Sequence, residues 1–261
     1  MDTAWTYHSG NSERVLGRAL RDGYRDRVKV ATKLPIGLVQ TPRDFDRFLN
    51  EQLERLQTEH IDFYLLRALR RDRWTKVRDM GVIEWAEGAI SDGRIGHLGF
   101  SFHDDYDAFR EILDSYDRWT LCQIQYNYIN ESAQAGTKGL EYAARKGVAV
   151  VVMEPLLGGG LVRQPETILE IWKSAGNPRS PAEWALQWVW NKPEVSVVLS
   201  GMNAMEQVIE NIAGAESSGT NNLSDAAGAE ACVQCRECED KCPQNIIISE
   251  WMTKLAREFT T

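Results

Sequence analysis

The chain has 261 residues, enough for one large domain or for one domain with an appendage. Its composition is that of a globular protein, 43% hydrophobic and 26% charged, and a formal net charge of −8 argues against a general binder of nucleic acid or anionic membranes. No apolar run approaches the roughly 20 residues of a membrane helix, and the opening MDTAWTYHSG lacks the layout of a signal peptide. A cytoplasmic protein is therefore expected, with neither nucleic acid nor membrane as a partner.

Short β-branched or apolar runs recur along the chain. After a strand tail at 1–4 they are VKVATK (28–33), IDFYLL (61–66), IGHLGFS (95–101), LCQIQY (121–126), VAVVVM (148–153) and VSVVLS (195–200). Helical patterns separate them. Thr41 reads as an N-cap, with Pro42 at the first helical position and Asp44 in the first turn. Phe45, Phe48, Leu49, Leu53 and Leu56 then repeat with helical spacing. Ser180-Pro181 opens AEWALQWVW in the same way, and Gly23, Gly93 and Gly147 fall just past helix ends. Buried strands alternating with crossover helices give a parallel sheet with helices outside it. A (β/α)₈ barrel needs eight strands and here only six are legible, so the expected fold is an α/β TIM-type barrel lacking its first strand–helix unit, over residues 1–213. Such a barrel would expose two unpaired strand edges. An open doubly wound sheet is the alternative, but no GxGxxG follows a first strand.

Residues 214–231 are small and polar and read as a linker. Residues 232–261 form a separate segment that holds four of the five cysteines. Their spacing, C-x₂-C-x₂-C-x₃-C-P, matches the bacterial ferredoxin run. Two-residue gaps let a tight turn aim successive thiolates at one centre, and in a reducing compartment such a cluster reads as metal ligands rather than disulfides. Zinc is the competitor, but structural zinc sites pair two knuckles across a longer spacer. The spacing favours a [4Fe–4S] cluster on Cys232, Cys235, Cys238 and Cys242. With a single run, closure by Cys242 is preferred to a second site completed by a partner. Cys122, on an expected strand, reads as a small core residue.

The opening DTAWTYHSGNSERVLGRAL sets an acid and a phenol five residues apart ahead of a helix, and a lysine ends the next strand. With ATK, IDFYLL, IGHLGFSFHD, QIQYN, MEPLLGGGL, SPAEWALQWV and SGMNAMEQVIEN, the sequence resembles the aldo/keto reductase family over nearly its whole length. The branch it resembles carries a C-terminal ferredoxin-type segment. The resemblance implies a (β/α)₈ barrel that reduces small carbonyl substrates with NAD(H) or NADP(H). It matches Tyr7 to the general acid that protonates the carbonyl oxygen, and Asp2 and Lys33 to the pair that makes that phenol a better donor. Where the family has histidine after IDFYLL, this chain has Arg67. A guanidinium cannot give up its proton, but it can stabilise an oxyanion or bind a carboxylate. Arg67 therefore points to acidic substrates, to a site no longer used for reduction, or to an ion pair with an acid at the barrel rim.

Cofactor contacts transfer in part. Ser101 and Gln123 match residues that bond the nicotinamide carboxamide, although Phe102 replaces the family's asparagine, and Met153 stands where many relatives have a stacking tyrosine. Glu210 and Asn211 match the adenine-contacting pair. Gly201 and Gln207 replace the lysine and arginine that grip a 2′-phosphate, so the resemblance gives NADPH no advantage over NADH. The run Gly158–Gly160 reads either as a close approach to the pyrophosphate or as a flexible loop. His8 and His103 lie beside the expected site, His103 being the better candidate for a substrate contact. Two functions follow. One is a nicotinamide-dependent oxidoreductase whose cluster exchanges electrons with a redox partner protein. The other is a degenerate barrel that serves as a scaffold or electron-transfer subunit. Because Asp2 would be catalytic at the second position, the chain is expected to be shortened at its N-terminus.

Overall fold

The structure is a computed structural model that describes residues 1–173 and 179–218. The cysteine segment of 232–261 and most of the expected linker lie outside the described residues. The chain divides into two compact units. The first comprises Met1–Gln125 and Ser132–Met153; the second comprises Tyr126–Glu131 and the described residues from Glu154 onward.

The first unit holds five strands: β1 (Ala31–Leu34), β2 (Ile61–Leu69), β3 (Ile95–Phe102), β4 (Leu121–Gln125) and β5 (Ala149–Met153). Each pairs in parallel with the next in chain order. Parallel neighbours need a crossover, and helices supply it: α1 (Ser12–Ala19) precedes β1, α2 (Arg43–Leu56) joins β1 to β2, and α3 (Arg71–Asp79) with α4 (Val82–Ser91) joins β2 to β3. α5 (Tyr106–Asp114) and α6 (Gly136–Arg145) make the next two crossovers. The expected strand tail is a parallel bridge between Asp2 and Ala31, flanked by Ala31 N–H to Met1 O at 2.8 Å and Thr3 N–H to Ala31 O at 2.9 Å.

Several local readings shift. β1 begins at Ala31 rather than Val28. At the start of α2 the Thr41 side chain does not cap; the Asp44 carboxylate accepts from Gln40 N–H at 2.9 Å and Thr41 N–H at 2.8 Å, the acid reaching back over the turn. On the α2 face, Leu53 is half-buried and Gln52 takes a fully buried place, because its amide closes a polar network. Gln52 donates to Glu13 Oε1 at 2.5 Å and to Lys33 O at 3.1 Å and accepts from the Tyr64 hydroxyl at 2.6 Å. Glu13, fully buried on α1, also accepts from the Thr32 hydroxyl at 2.6 Å. This network ties α1 and α2 to β1. Gly17 permits the close approach: a β-carbon there would stand 2.4 Å from Arg55 O.

Aromatic rings fill the helix–sheet interface. Trp119 packs edge-on against Phe100 and Trp74, and Trp5 packs on Phe48 with the Arg55 guanidinium 3.4 Å above its ring. Cys122 is fully buried in β4.

The second unit contains α7 (Glu166–Lys173), α8 (Pro181–Trp190), β6 (Val195–Val198) and α9 (Met205–Glu216). The Ser180 cap forms as expected, its hydroxyl accepting from Glu183 N–H at 3.0 Å with proline in the first turn. α8 buries Trp184, Leu186, Trp188 and Val189, and Trp188 packs on Tyr126.

Candidate active site

Asp2, Lys33, Arg67, Ser101 and Gln123 stand on or beside the carboxyl ends of strands in the first unit, where βα folds place their ligands. Tyr7 follows the bridge at Asp2, in a short turn from Tyr7 to Gly10. His8 and Ser9 in that turn have φ of 49° and 55°, and Gly10 has 83°. Two non-glycine residues in the left-handed region are costly, and such strain gathers where the surrounding structure dictates the backbone.

Lys33 is 2% exposed and donates to Asp2 Oδ2 at 2.6 Å and to Thr3 O at 2.9 Å. Its ammonium lies 5.1 Å from the centre of the Tyr7 ring. Gln123, buried on β4, donates to the other Asp2 oxygen at 2.7 Å. Asp2 is thus gripped on both oxygens, and its charge offsets that of Lys33. Tyr7 is 38% exposed, so the phenol is open to a substrate.

Arg67 precedes a bulge in β2. The β2–β3 register shifts between Leu66 and Leu69, and Ala68 adopts a φ of 50°. Bulges re-aim side chains beside functional sites. Ala68 N–H donates to Ser101 Oγ at 2.7 Å and Ala68 O accepts from Arg73 at 3.1 Å, so both backbone groups of the bulge are satisfied. The Arg67 guanidinium lies 5.7 Å from the centre of the Tyr7 ring. Among the described residues no carboxylate comes within 4.0 Å of it, so the ion pair at the rim is not formed there. Sequence reasoning missed two relationships: Ser101 holds the bulge behind Arg67, and Gln123 holds Asp2. Both depend on register between strands far apart in sequence. His103 is exposed after β3, its N–H bonded to Leu69 O at 3.0 Å, and His8 is exposed beside Tyr7.

Within the second unit a cleft of about 520 Å³ is lined by Gly158, Gly159, Arg163, Gly201, Glu210 and Asn211, among others. Gly158 and Gly159 have φ of 61° and 88°, and a β-carbon on either would meet nothing within 4 Å, so one wall is bare backbone. Asn211 donates to Ser200 Oγ at 3.0 Å, and the Ser180 hydroxyl donates to Glu210. Gln207 accepts from Asn203 N–H at 2.9 Å. The sequence reading passed over Arg163, whose only signal was its closeness to the glycine run. Among the described residues no group of three or more metal-ligating side chains occurs, and no helix is long and apolar enough to cross a membrane. The four clustered cysteines lie outside the described residues.

The profile of the Aldo/keto reductase family matches residues 1–220. The chain belongs to the aldo/keto reductase family. As an aldo/keto reductase it is an oxidoreductase, and two of its curated relatives carry an oxidoreductase or reductase name. An uncharacterized oxidoreductase of Schizosaccharomyces pombe is 29% identical over 227 residues, covering 81% of this chain and 68% of the relative. The NADH-specific methylglyoxal reductase of Escherichia coli is 26% identical over 274 residues, covering 87% of this chain and 80% of the relative. Among solved structures, the holo form of an aldo-keto reductase from Bacillus halodurans superposes with a TM-score of 0.71 at 23% identity, covering 98% of this chain and 81% of that one. An aldo-keto reductase from Klebsiella pneumoniae in complex with NADPH gives 0.64 at 24% identity, covering 83% and 74%. These likenesses give the fold, which is of the TIM-barrel type expected from the βα rhythm.

Proposed function

We propose that this aldo/keto reductase reduces small-molecule carbonyls with a nicotinamide cofactor, Tyr7 acting as the acid. The observation that carries the reading is the convergence of Asp2, Lys33, Tyr7 and Arg67 at one end of the β1–β2 pair. A bound reduced nicotinamide supplies the hydride. Tyr7 gives its hydroxyl proton to the carbonyl oxygen, and Lys33 favours the phenolate left behind. Asp2 keeps the ammonium in place, and Gln123 keeps Asp2 in place. Taken by itself, the second unit's cleft, with a bare-backbone wall at Gly158–Gly159, the Asn211 amide and the Arg163 cation, suits a nucleotide and its phosphates. The two relatives named with NADH and NADPH bracket the choice, so either nicotinamide is admitted.

The finer proposal is a single [4Fe–4S] cluster held by Cys232, Cys235, Cys238 and Cys242, which would exchange single electrons with a redox partner protein. Its support is the ligand spacing, and a reducing cytoplasmic setting would keep those thiols available. Anaerobic purification with iron and sulfide assays tests it; a colourless, zinc-containing preparation would overturn it.

The carbonyl chemistry is tested by following NADH and NADPH oxidation with a panel of aldehydes and ketones, in the native chain and in Tyr7→Phe. A rate that Tyr7→Phe lowers by about 10²-fold or more supports Tyr7 as the acid. No rate in either form would replace this reading with the scaffold alternative, which the arginine at position 67 favours.

A further inference from the structure

We infer that Arg67 makes this an oxo-acid site: the guanidinium receives a substrate carboxylate while the neighbouring carbonyl faces Tyr7. The inference rests on the proposed carbonyl reduction and names its substrate class.

Three observations carry it. First, the local charge is unbalanced. The Lys33 ammonium is matched by Asp2 at 2.6 Å, whereas half-buried Arg67 has no carboxylate within 4.0 Å among the described residues. Removing a cation from much of its water without a counter-ion is costly, and an anionic ligand would offset that cost. Second, the position is built. The bulge at Ala68 aims Arg67, and the Ser101 hydroxyl and the Arg73 guanidinium fasten it from two sides. A solvated surface arginine needs no such support. Third, the chemistry fits. The nearby arginines are engaged elsewhere: Arg71 pairs with Glu111 and Asp105, and Arg73 bonds Ala68 O. Among the described arginines, Arg67 alone has its fork of donors beside the Tyr7 ring, 5.7 Å from its centre. Guanidinium binds carboxylate through two parallel hydrogen bonds and fixes its plane as well as its position. A carboxylate held there lies beside the Tyr7 ring, and an acid whose carbonyl adjoins its carboxylate keeps the two groups close together, which suits short 2-oxo acids and the corresponding 2-hydroxy acids. Arg67 does not shuttle protons in this scheme, because guanidinium keeps its proton.

The test uses the full chain and two readouts. In calorimetry with oxamate, with and without NADH, the native chain should bind and Arg67→Gln should bind about 30-fold or more weakly, the loss expected for one charge-assisted pair. Arg67→Lys should fall between them, because it keeps the charge and loses the fork. In kinetics, pyruvate should be preferred to methyl pyruvate by kcat/KM, and Arg67→Gln should abolish that preference by raising KM for the acid by a larger factor than KM for the ester. Thermal melting of each variant confirms that it is folded. Equal oxamate binding by native chain and Arg67→Gln overturns the inference, as does no binding by the native chain or a preference for pyruvate that Arg67→Gln leaves intact. Turnover of the ester with no preference for the acid sinks the oxo-acid assignment and leaves carbonyl reduction standing. Oxamate binding that requires Arg67, with no turnover of any carbonyl, sinks the reduction and leaves the anion site.

Discussion

Asp2 and Lys33, thirty-one positions apart, meet at 2.6 Å with the lysine almost fully enclosed. The carboxylate is the counter-ion that makes a buried ammonium tolerable, and Gln123 fixes it from β4. Asp2→Asn leaves the ammonium enclosed and unmatched. The expected cost is about 3 kcal/mol in urea unfolding, and the Gln123→Leu change should cost less, about 1 kcal/mol, because the ion pair survives. Equal stability of native chain and Asp2→Asn would show that the pair does not bear on folding.

Glu13 is a second enclosed acid, and its role is structural. It gathers Thr32 and Gln52, and Arg55 reaches it at 3.4 Å. Glu13→Ala orphans those donors and opens a cavity, an expected loss of about 3–4 kcal/mol. Glu13→Gln keeps the shape and one acceptor and should lose about half as much. Chemical denaturation of both variants decides the order.

At the opposite ends of the strands, Asp62 accepts from Arg25 at 2.8 Å, Lys29 at 2.9 Å and Val30 N–H at 3.0 Å. Burial works against its ionisation, yet the bonds from Lys29 and Val30 and the charges of Arg25 and Lys29 outweigh it and hold the carboxyl below the usual range. A depressed carboxyl stabilises the fold above its unfolded value near 3.9, and the contribution vanishes as pH falls through the folded value. Asp62→Asn should therefore be less stable than the native chain at pH 7. The gap should narrow steadily below about pH 4. A gap independent of pH, measured by urea unfolding at pH 7 and pH 3, would contradict this.

Burial pushes the Cys122 thiol up to about 12. It should resist iodoacetamide in the native chain at pH 8 and react only in strong guanidinium, since the thiolate is the nucleophile. Peptide mass mapping reads the label. Native labelling of Cys122 would show that β4 opens readily. If it stays unlabelled, a native thiol count reports the four tail cysteines alone.

Local periodicity and backbone preference made the βα alternation legible along the chain, with the six described strands placed to within a few residues, and likewise the cap at Ser180 and the glycines after helix ends. The resemblance to the aldo/keto reductases, carried in part by the five-residue Asp–Tyr spacing and a lysine ending the next strand, put Asp2, Tyr7 and Lys33 forward as candidate site residues. Tertiary structure decided what those residues touch. Gln123 on Asp2, Ser101 behind the bulge, Gln52 in place of Leu53 in the buried face, and the isolation of Arg67 from every described carboxylate all arise from register between strands and helices distant in sequence. Hydrogen bonds and counter-ions are short-range in space, and no pattern along the chain reports which two faces will be pressed together.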